Sequence, residues 1–178
     1  MLHVLVIDDN KADRALVIRE LKREFAQIEI QEILDEKELA AALTAKQFNA
    51  VVTDYDLRWT NGLNILRTVK KLYPYCPVIM FTGTGSEEIA VEAMKSGLDD
   101  YVLKSQSKYI KLPISLRIAI ERLENRRSSE LLEIRLRRLL NQLQIGTFRA
   151  NSNGNYIESN TVFLKLLGID NLAQLQTR

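Results

Sequence analysis

Five short apolar runs recur through the first 103 residues, and helix-patterned stretches separate them. The runs are His3–Ile7, Ile28–Leu34, Ala50–Thr53, Val78–Thr82 and Leu98–Leu103. Each has strand length, and none is followed at hairpin spacing by the next. The first helical stretch can be capped by Asn10 and carries Leu16, Leu21 and Phe25. The second can be capped by Asp35, with Leu39, Ala42 and Leu43 following. The third begins near Gly62, runs through Ile65, Leu66 and Val69, and must stop before Pro74. Ser86 can cap the fourth, with Glu87 and Glu88 in the first turn, where the helix dipole favours carboxylates. Strands alternating with helices of this length build βαβ units with right-handed crossovers. The expectation is an α/β fold whose mostly parallel sheet is covered on both faces.

An open parallel sheet presents its ligand site beyond the carboxyl ends of the strands. The residues expected there are Asp8 and Asp9 after the first run, Asp54 after the third, Thr82 closing the fourth and Lys104 after the fifth. Three carboxylates on one rim repel unless a cation sits among them. Hard oxygen donors in that number suit Mg²⁺, which is typically shared with a phosphate. A carboxylate can also attack phosphorus, a reaction that asks the protein mainly for positioning, positive charge and hydrogen-bond donors. Lys104 and Thr82 are of the right types to supply them. His3 reads as an ordinary strand histidine, and Asp99-Asp100 as a surface turn. Gly83-Thr84-Gly85 lacks the Lys and the spacing of a phosphate-binding P-loop.

The remaining third of the chain has a different texture. No Gly or Pro interrupts the sequence after Pro113 as far as Leu143, which predicts one long helix. Leu116, Ile120 and Leu123 fit a face packed on the sheet. Leu132, Leu136, Leu139 and Leu143 then recur at coiled-coil seam spacing, compatible either with a helical dimer or with a solvated helix that has one packing face. Between residues 111 and 143 there are 8 Lys and Arg against 4 Glu, although the whole chain carries only +2. These basic residues alternate with leucines in a connector, and no second helix-turn-helix pattern follows, so direct nucleic-acid binding is not expected. Beyond Gln144 a hairpin with Asn153-Gly154 in its loop is expected, and then a short helix ending at Gly168. Thirty-five residues cannot bury a core of their own, so the segment reads as the front of a larger domain. The single cysteine, Cys76, can form no internal disulfide, which fits a reducing cytoplasm. Neither a signal peptide nor a membrane span is apparent.

Val4-Leu5-Val6-Ile7-Asp8-Asp9, Val51-Val52-Thr53-Asp54-Tyr55-Asp56-Leu57, Val78-Ile79-Met80-Phe81-Thr82-Gly83 and Asp100-Tyr101-Val102-Leu103-Lys104 together resemble the receiver domain of two-component response regulators. The resemblance implies a CheY-like, flavodoxin-like (βα)5 fold: a doubly wound, five-stranded parallel sheet over residues 1–123. It implies that Asp54 takes a phosphoryl group from a histidine kinase or a phosphotransfer protein. Mg²⁺ would be held by Asp8, Asp9, Asp54 and the backbone carbonyl of Asp56. Thr82 and Lys104 would contact the phosphoryl oxygens, and the rotamer of Tyr101 would follow Thr82. Phosphorylation would then switch the surface of the fourth helix, fifth strand and fifth helix.

Three departures from the family pattern stand out. Ser105 follows Lys104 where Pro is usual, Arg58, followed by bulky Trp59, stands four residues after Asp54 where Pro is common, and Asp56 adds a carboxylate near the metal. Residues 124–143 would be a helical, coiled-coil connector supporting a homodimer. Residues 144–178 are similar to the beginning of a PAS domain, carried by Ile145-Gly146-Thr147-Phe148, Asn153-Gly154, Ser159-Asn160 and Phe163-Leu164-Lys165-Leu166-Leu167-Gly168, and would form a partial α+β segment. Two other readings use the same residues. One is a phosphate-independent pseudo-receiver scaffold. The other is a phosphohydrolase of the haloacid-dehalogenase type, against which chain order argues, because there the Asp-x-Asp strand comes first and the acidic pair last.

Overall fold

A computed structural model of the chain describes residues 1–83, 86–104 and 109–175. Thr84, Gly85 and Ser105, singled out above, lie outside the described residues. In chain order the elements are β1 (Leu2–Ile7), α1 (Lys11–Glu24), β2 (Ile28–Ile33), α2 (Glu36–Ala45), β3 (Ala50–Thr53), β4 (Asp56–Leu57) and β5 (Thr60–Asn61). They continue with α3 (Gly62–Leu72), β6 (Val78–Thr82), α4 (Glu87–Lys95), β7 (Asp100–Leu103), α5 (Lys111–Gln142), β8 (Phe148–Ala150), β9 (Tyr156–Ser159) and α6 (Thr161–Leu167). A 3₁₀ turn over Leu172–Leu175 closes the described chain. The chain divides into two units, Met1–Glu124 and Asn125–Arg178. Among the described residues, no helix is long and apolar enough to cross a membrane.

In the first unit, β1, β2, β3, β6 and β7 form one parallel sheet in the order β2-β1-β3-β6-β7, the doubly wound topology expected. The caps behave as their side chains dictate. Asn10, Asp35, Asn61 and Ser86 each accept a backbone N–H of the first turn of α1, α2, α3 and α4, satisfying donors that the helix itself leaves unpaired. Pro113 falls in the first turn of α5, where its missing N–H costs nothing, so this helix begins two residues ahead of that proline. The run expected from Leu98 becomes regular strand only at Asp100, because Gly97 turns the chain at φ +91°. The small β4–β5 pair was not expected from the sequence, since two-residue strands leave no periodic signal.

Alternation along the strands divides the core in two. Leu5, Ile7, Val51 and Met80 face Leu39, Leu63, Leu66, Val69 and Ala93 of α2, α3 and α4. Val4, Val6, Val52, Ile79 and Phe81 face Val17 and Leu21 of α1 and Leu112, Leu116 and Ala119 of α5. At the amino ends of β6 and β7, Asp99 accepts the Val78 N–H at 2.9 Å and Lys70 Nζ at 2.8 Å, and the same ammonium also reaches the Cys76 carbonyl at 2.8 Å. Asp99 thus ties the start of β6 to α3 at the end of the sheet away from the strand-end carboxylates, while Asp100 opens β7.

The second unit holds the β8–β9 hairpin, turned through Gly154 at φ +81°, and α6, capped by Asn160. Asn160 also accepts the Thr147 N–H at 2.9 Å and donates to the Ile145 carbonyl at 2.8 Å and to Asn141 at 2.9 Å. Phe148, Tyr156 and Phe163 pack ring to ring with centroids 4.9 to 5.8 Å apart. Among the described residues, Val162 is the only fully buried apolar side chain of this unit.

Replacing Asp99 with Ala leaves the N–H of fully buried Val78 without its acceptor. The expected loss is about 1–3 kcal/mol of stability, read by chemical denaturation, with no change in the midpoint counting against the tie.

Candidate functional site

Strand register assembles the site. Ile7 pairs with Thr53 and Thr82 with Leu103, so β1 ends level with β3 and β6 with β7; Thr53 pairs with Met80, so the second pair runs two residues farther, and the residues that follow the strands share one rim. Asp54 is fixed by its backbone: its N–H donates to the Ile7 carbonyl at 2.8 Å, and its carbonyl accepts the Thr53 hydroxyl at 2.8 Å. Its side chain is equally constrained, with Oδ1 accepting the Tyr55 N–H at 2.6 Å and Oδ2 accepting Lys104 Nζ at 2.6 Å. Lys104 follows β7, where its N–H donates to the Thr82 carbonyl at 2.6 Å.

The ammonium of Lys104 joins what the sequence placed apart. Besides Asp54 it donates to Asp8 Oδ2 at 2.7 Å and to Asp13 Oδ2 at 2.9 Å. All three of its N–H donors are thus engaged by carboxylates. Burial pushes the ammonium pKa down, but the hydrogen bonds it donates to Asp13, Asp54 and Asp8 outweigh that, so Lys104 is held charged well above the ordinary lysine range. Burial pushes the Asp8 carboxyl up, and the Lys104 contact offsets that only in part.

Asp9 turns the other way. Its Oδ2 accepts the backbone N–H of Arg58 at 3.1 Å and lies 3.2 Å from the Arg58 guanidinium. A proline at position 58 could not donate that bond, so the departure from the family pattern gives Asp9 a partner. Trp59 packs against the apolar cluster beneath α2 and α3. Asp56 is exposed on the β4–β5 pair. Thr82 is fully buried at the end of β6, and half-buried Tyr101 stands on β7, where burial and then the nearby Tyr55, Asp54 and Asp56 raise its phenol. His3 lies 3.3 Å from Glu29 on the neighbouring strand, remote from this rim.

The sequence reading did not include Asp13, Arg14 or Tyr109. Asp13 reads as a first-turn acid serving the helix dipole, and only its position one turn beyond the Asp8 loop hints at more. Buried Arg14 donates to the Asp8 carbonyl at 2.8 Å and pairs with Glu32 at 2.6 Å, which clamps the β1–α1 loop. The Tyr109 hydroxyl donates to Asp13 Oδ1 at 3.1 Å.

The sequence profile of the response regulator receiver domain matches residues 4–111, more than half of the chain. This chain belongs to that family. A response regulator described as NtrX-like from Rickettsia conorii is 37% identical over 105 residues, covering 58% of this chain and 22% of that protein. The chain spans only about a fifth of the length of these curated relatives. Among solved structures, the receiver domain of NtrX from Brucella abortus is 32% identical with a TM-score of 0.60, covering 66% of this chain and 98% of its own. The CheY-like receiver domain protein from Methanospirillum hungatei is 25% identical with a TM-score of 0.62, covering 71% and 98%.

Receiver geometry explains one glycine. Gly62 opens α3 directly under the Asp54 loop, donating to the Tyr55 carbonyl at 2.8 Å, and a Cβ on it would stand 2.5 Å from the Asp54 carbonyl oxygen. Backbone cannot give way as a side-chain tip can. Gly62→Ala is expected to cost about 1–3 kcal/mol in chemical denaturation and to shift the Asp54 and Tyr55 amide resonances. Unchanged resonances would show that the loop tolerates the methyl.

Among the described residues, no three His, Cys, Asp or Glu side chains are grouped ready to hold a metal, and the Lys104 ammonium lies between Asp8 and Asp54. The donor set nevertheless fits Mg²⁺. The available ligands are hard carboxylate oxygens, and burial of Asp8 makes a neighbouring cation favourable to its ionised form.

Proposed function

We infer that Asp54 is the phosphoacceptor of a two-component response regulator. The supporting observation is the Lys104 ammonium, 2.6 Å from Asp54 Oδ2 at the carboxyl ends of the parallel strands. In this reading an Asp54 carboxylate oxygen attacks the phosphorus of a phosphohistidine on a kinase or phosphotransfer protein. The P–N bond breaks with its electron pair going to the imidazole, which takes up a proton from water. Lys104 and the Thr82 hydroxyl hold the phosphoryl oxygens as charge shifts onto them. Asp8, Asp9, Asp54 and the Asp56 carbonyl would hold Mg²⁺, which when bound neutralises phosphoryl charge. Tyr101 follows Thr82, and the surface of α4, β7 and α5 carries the change outward.

The same reading extends along the chain. Residues 1–123 serve as receiver, 124–143 as a dimerising connector and 144–178 as the beginning of a PAS domain, supported by a hairpin followed by a helix whose Phe163 packs against Phe148 of the hairpin. Leu132, Leu136, Leu139 and Leu143 are each more than half exposed, which favours a second copy on the seam. The chain's one cysteine, Cys76, fits a reducing, cytoplasmic setting in this reading.

Incubation with a small acyl phosphate and Mg²⁺ should yield an acid-stable, base-labile label that Asp54→Ala abolishes. A label that survives the substitution would move the phosphoacceptor elsewhere. For the connector, Leu136→Glu in the full chain should halve the mass measured by light scattering. Equal monomeric masses for both proteins would remove the dimer.

A further inference from the structure

Lys104 has one anchor with no part in the chemistry assigned to the site. In the reading above, Asp54 accepts the phosphoryl group and Asp8 is drawn toward the metal. The third carboxylate on the ammonium, Asp13, contacts neither. Its Oδ2 accepts Lys104 Nζ at 2.9 Å, and its Oδ1 accepts the Tyr109 hydroxyl at 3.1 Å, so both oxygens are committed and the carboxylate plane is fixed. Tyr109 is itself held, its ring standing edge-on against buried Phe81 with centroids 4.9 Å apart. α1 capping places Asp13 there: the Asn10 side chain fixes the helix start by accepting the Ala12 N–H at 2.9 Å, and Asp13 follows in the same turn.

We propose that Asp13 is a positioning residue for Lys104, and that Tyr109 orients Asp13 by occupying its second oxygen. The proposal rests on the Asp54 phosphoacceptor reading for its kinetic consequence, but the contact it describes exists without phosphate.

The logic is a count of donors. A lysine ammonium has three N–H groups on a stem with four rotatable bonds, so its location depends on what accepts from it. To meet a phosphoryl oxygen, Lys104 must release one of three acceptors. Asp54 is the one transformed by the reaction, and Asp8 is shared with the metal. Asp13 alone is the same before and after transfer, so it holds Nζ at the phosphorus while the other contacts change. A charge-assisted bond in a water-poor rim is strong enough for that purpose, whereas the neutral amide of Asn is a much weaker acceptor for an ammonium.

The test has two readouts on the full chain. In labelling with a small acyl phosphate and Mg²⁺, Asp13→Asn is expected to slow phosphorylation by on the order of tenfold. Tyr109→Phe, which keeps the ring against Phe81, is expected to slow it by a smaller factor, and Asp13→Glu to recover part of the rate. Independently of metal and phosphate, the ¹⁵N-bound protons of the Lys104 ammonium should exchange with water faster in Asp13→Asn than in the unaltered protein. A merely structural role for Asp13 would lower the melting temperature without moving that exchange. A labelling rate within twofold of the unaltered protein, or unchanged ammonium exchange, overturns the proposal. If Asp13→Asn fails to fold, the exchange in Tyr109→Phe decides in the same way. If the unaltered protein takes no label, the phosphoacceptor reading falls, and ammonium exchange alone settles whether Asp13 positions Lys104.

Discussion

One ammonium among three carboxylates governs the rim of the sheet. A buried lysine loses hydration that a single carboxylate in poor geometry could not restore, but three acceptors at 2.6 to 2.9 Å saturate its donors and keep it charged. The reverse also holds: without the ammonium, Asp8, Asp13 and Asp54 would face one another with no compensation. The cluster joins the loop after β1, the first turn of α1, the end of β3 and the end of β7, so four segments distant in sequence share one electrostatic contact. Its charges do not balance. Burial raises the Asp8 carboxyl and the nearby Asp54 charge adds to it, which makes the rim receptive to a further cation or to conversion of one of its carboxylates.

Much of this architecture is legible in the sequence because it rests on short-range rules. Strand residues were readable from apolar runs, and three of the four caps, Asn10, Asp35 and Ser86, from side chains that can reach their own first turn. The five residues expected at strand ends stand at strand ends because parallel register admits little else once the hydrophobic runs are placed. The roles of Asp13 and Tyr109 were not legible. Each touches a partner about ninety residues away, and a first-turn acid or a tyrosine before a helix has a sufficient local explanation. The partner of Asp9 was missed for a similar reason, since it is a backbone N–H that exists because position 58 is not proline. β4 and β5 are too short to leave a periodic trace.

The second unit follows a different economy. With Val162 as its single fully buried apolar residue among those described, it is organised less by a core than by Asn160, which satisfies one donor of α6, one of Thr147, and two acceptors at Ile145 and Asn141. A hub of that kind fixes the geometry of a hairpin and a helix without burying much surface, and it leaves Phe148, Ile157 and Leu166 in water.

The tie formed by Lys70, Asp99, Val78 and Cys76 lies at the opposite end of the sheet from the Lys104 cluster. It prevents β6 and β7 from sliding past each other at their amino ends, whatever happens at their carboxyl ends. The two ends of β6 and β7 are thus held by different residues: a polar tie closed by one ammonium at the amino ends, and a second ammonium among carboxylates at the carboxyl ends, so that a rearrangement of the rim need not break the contacts at the base.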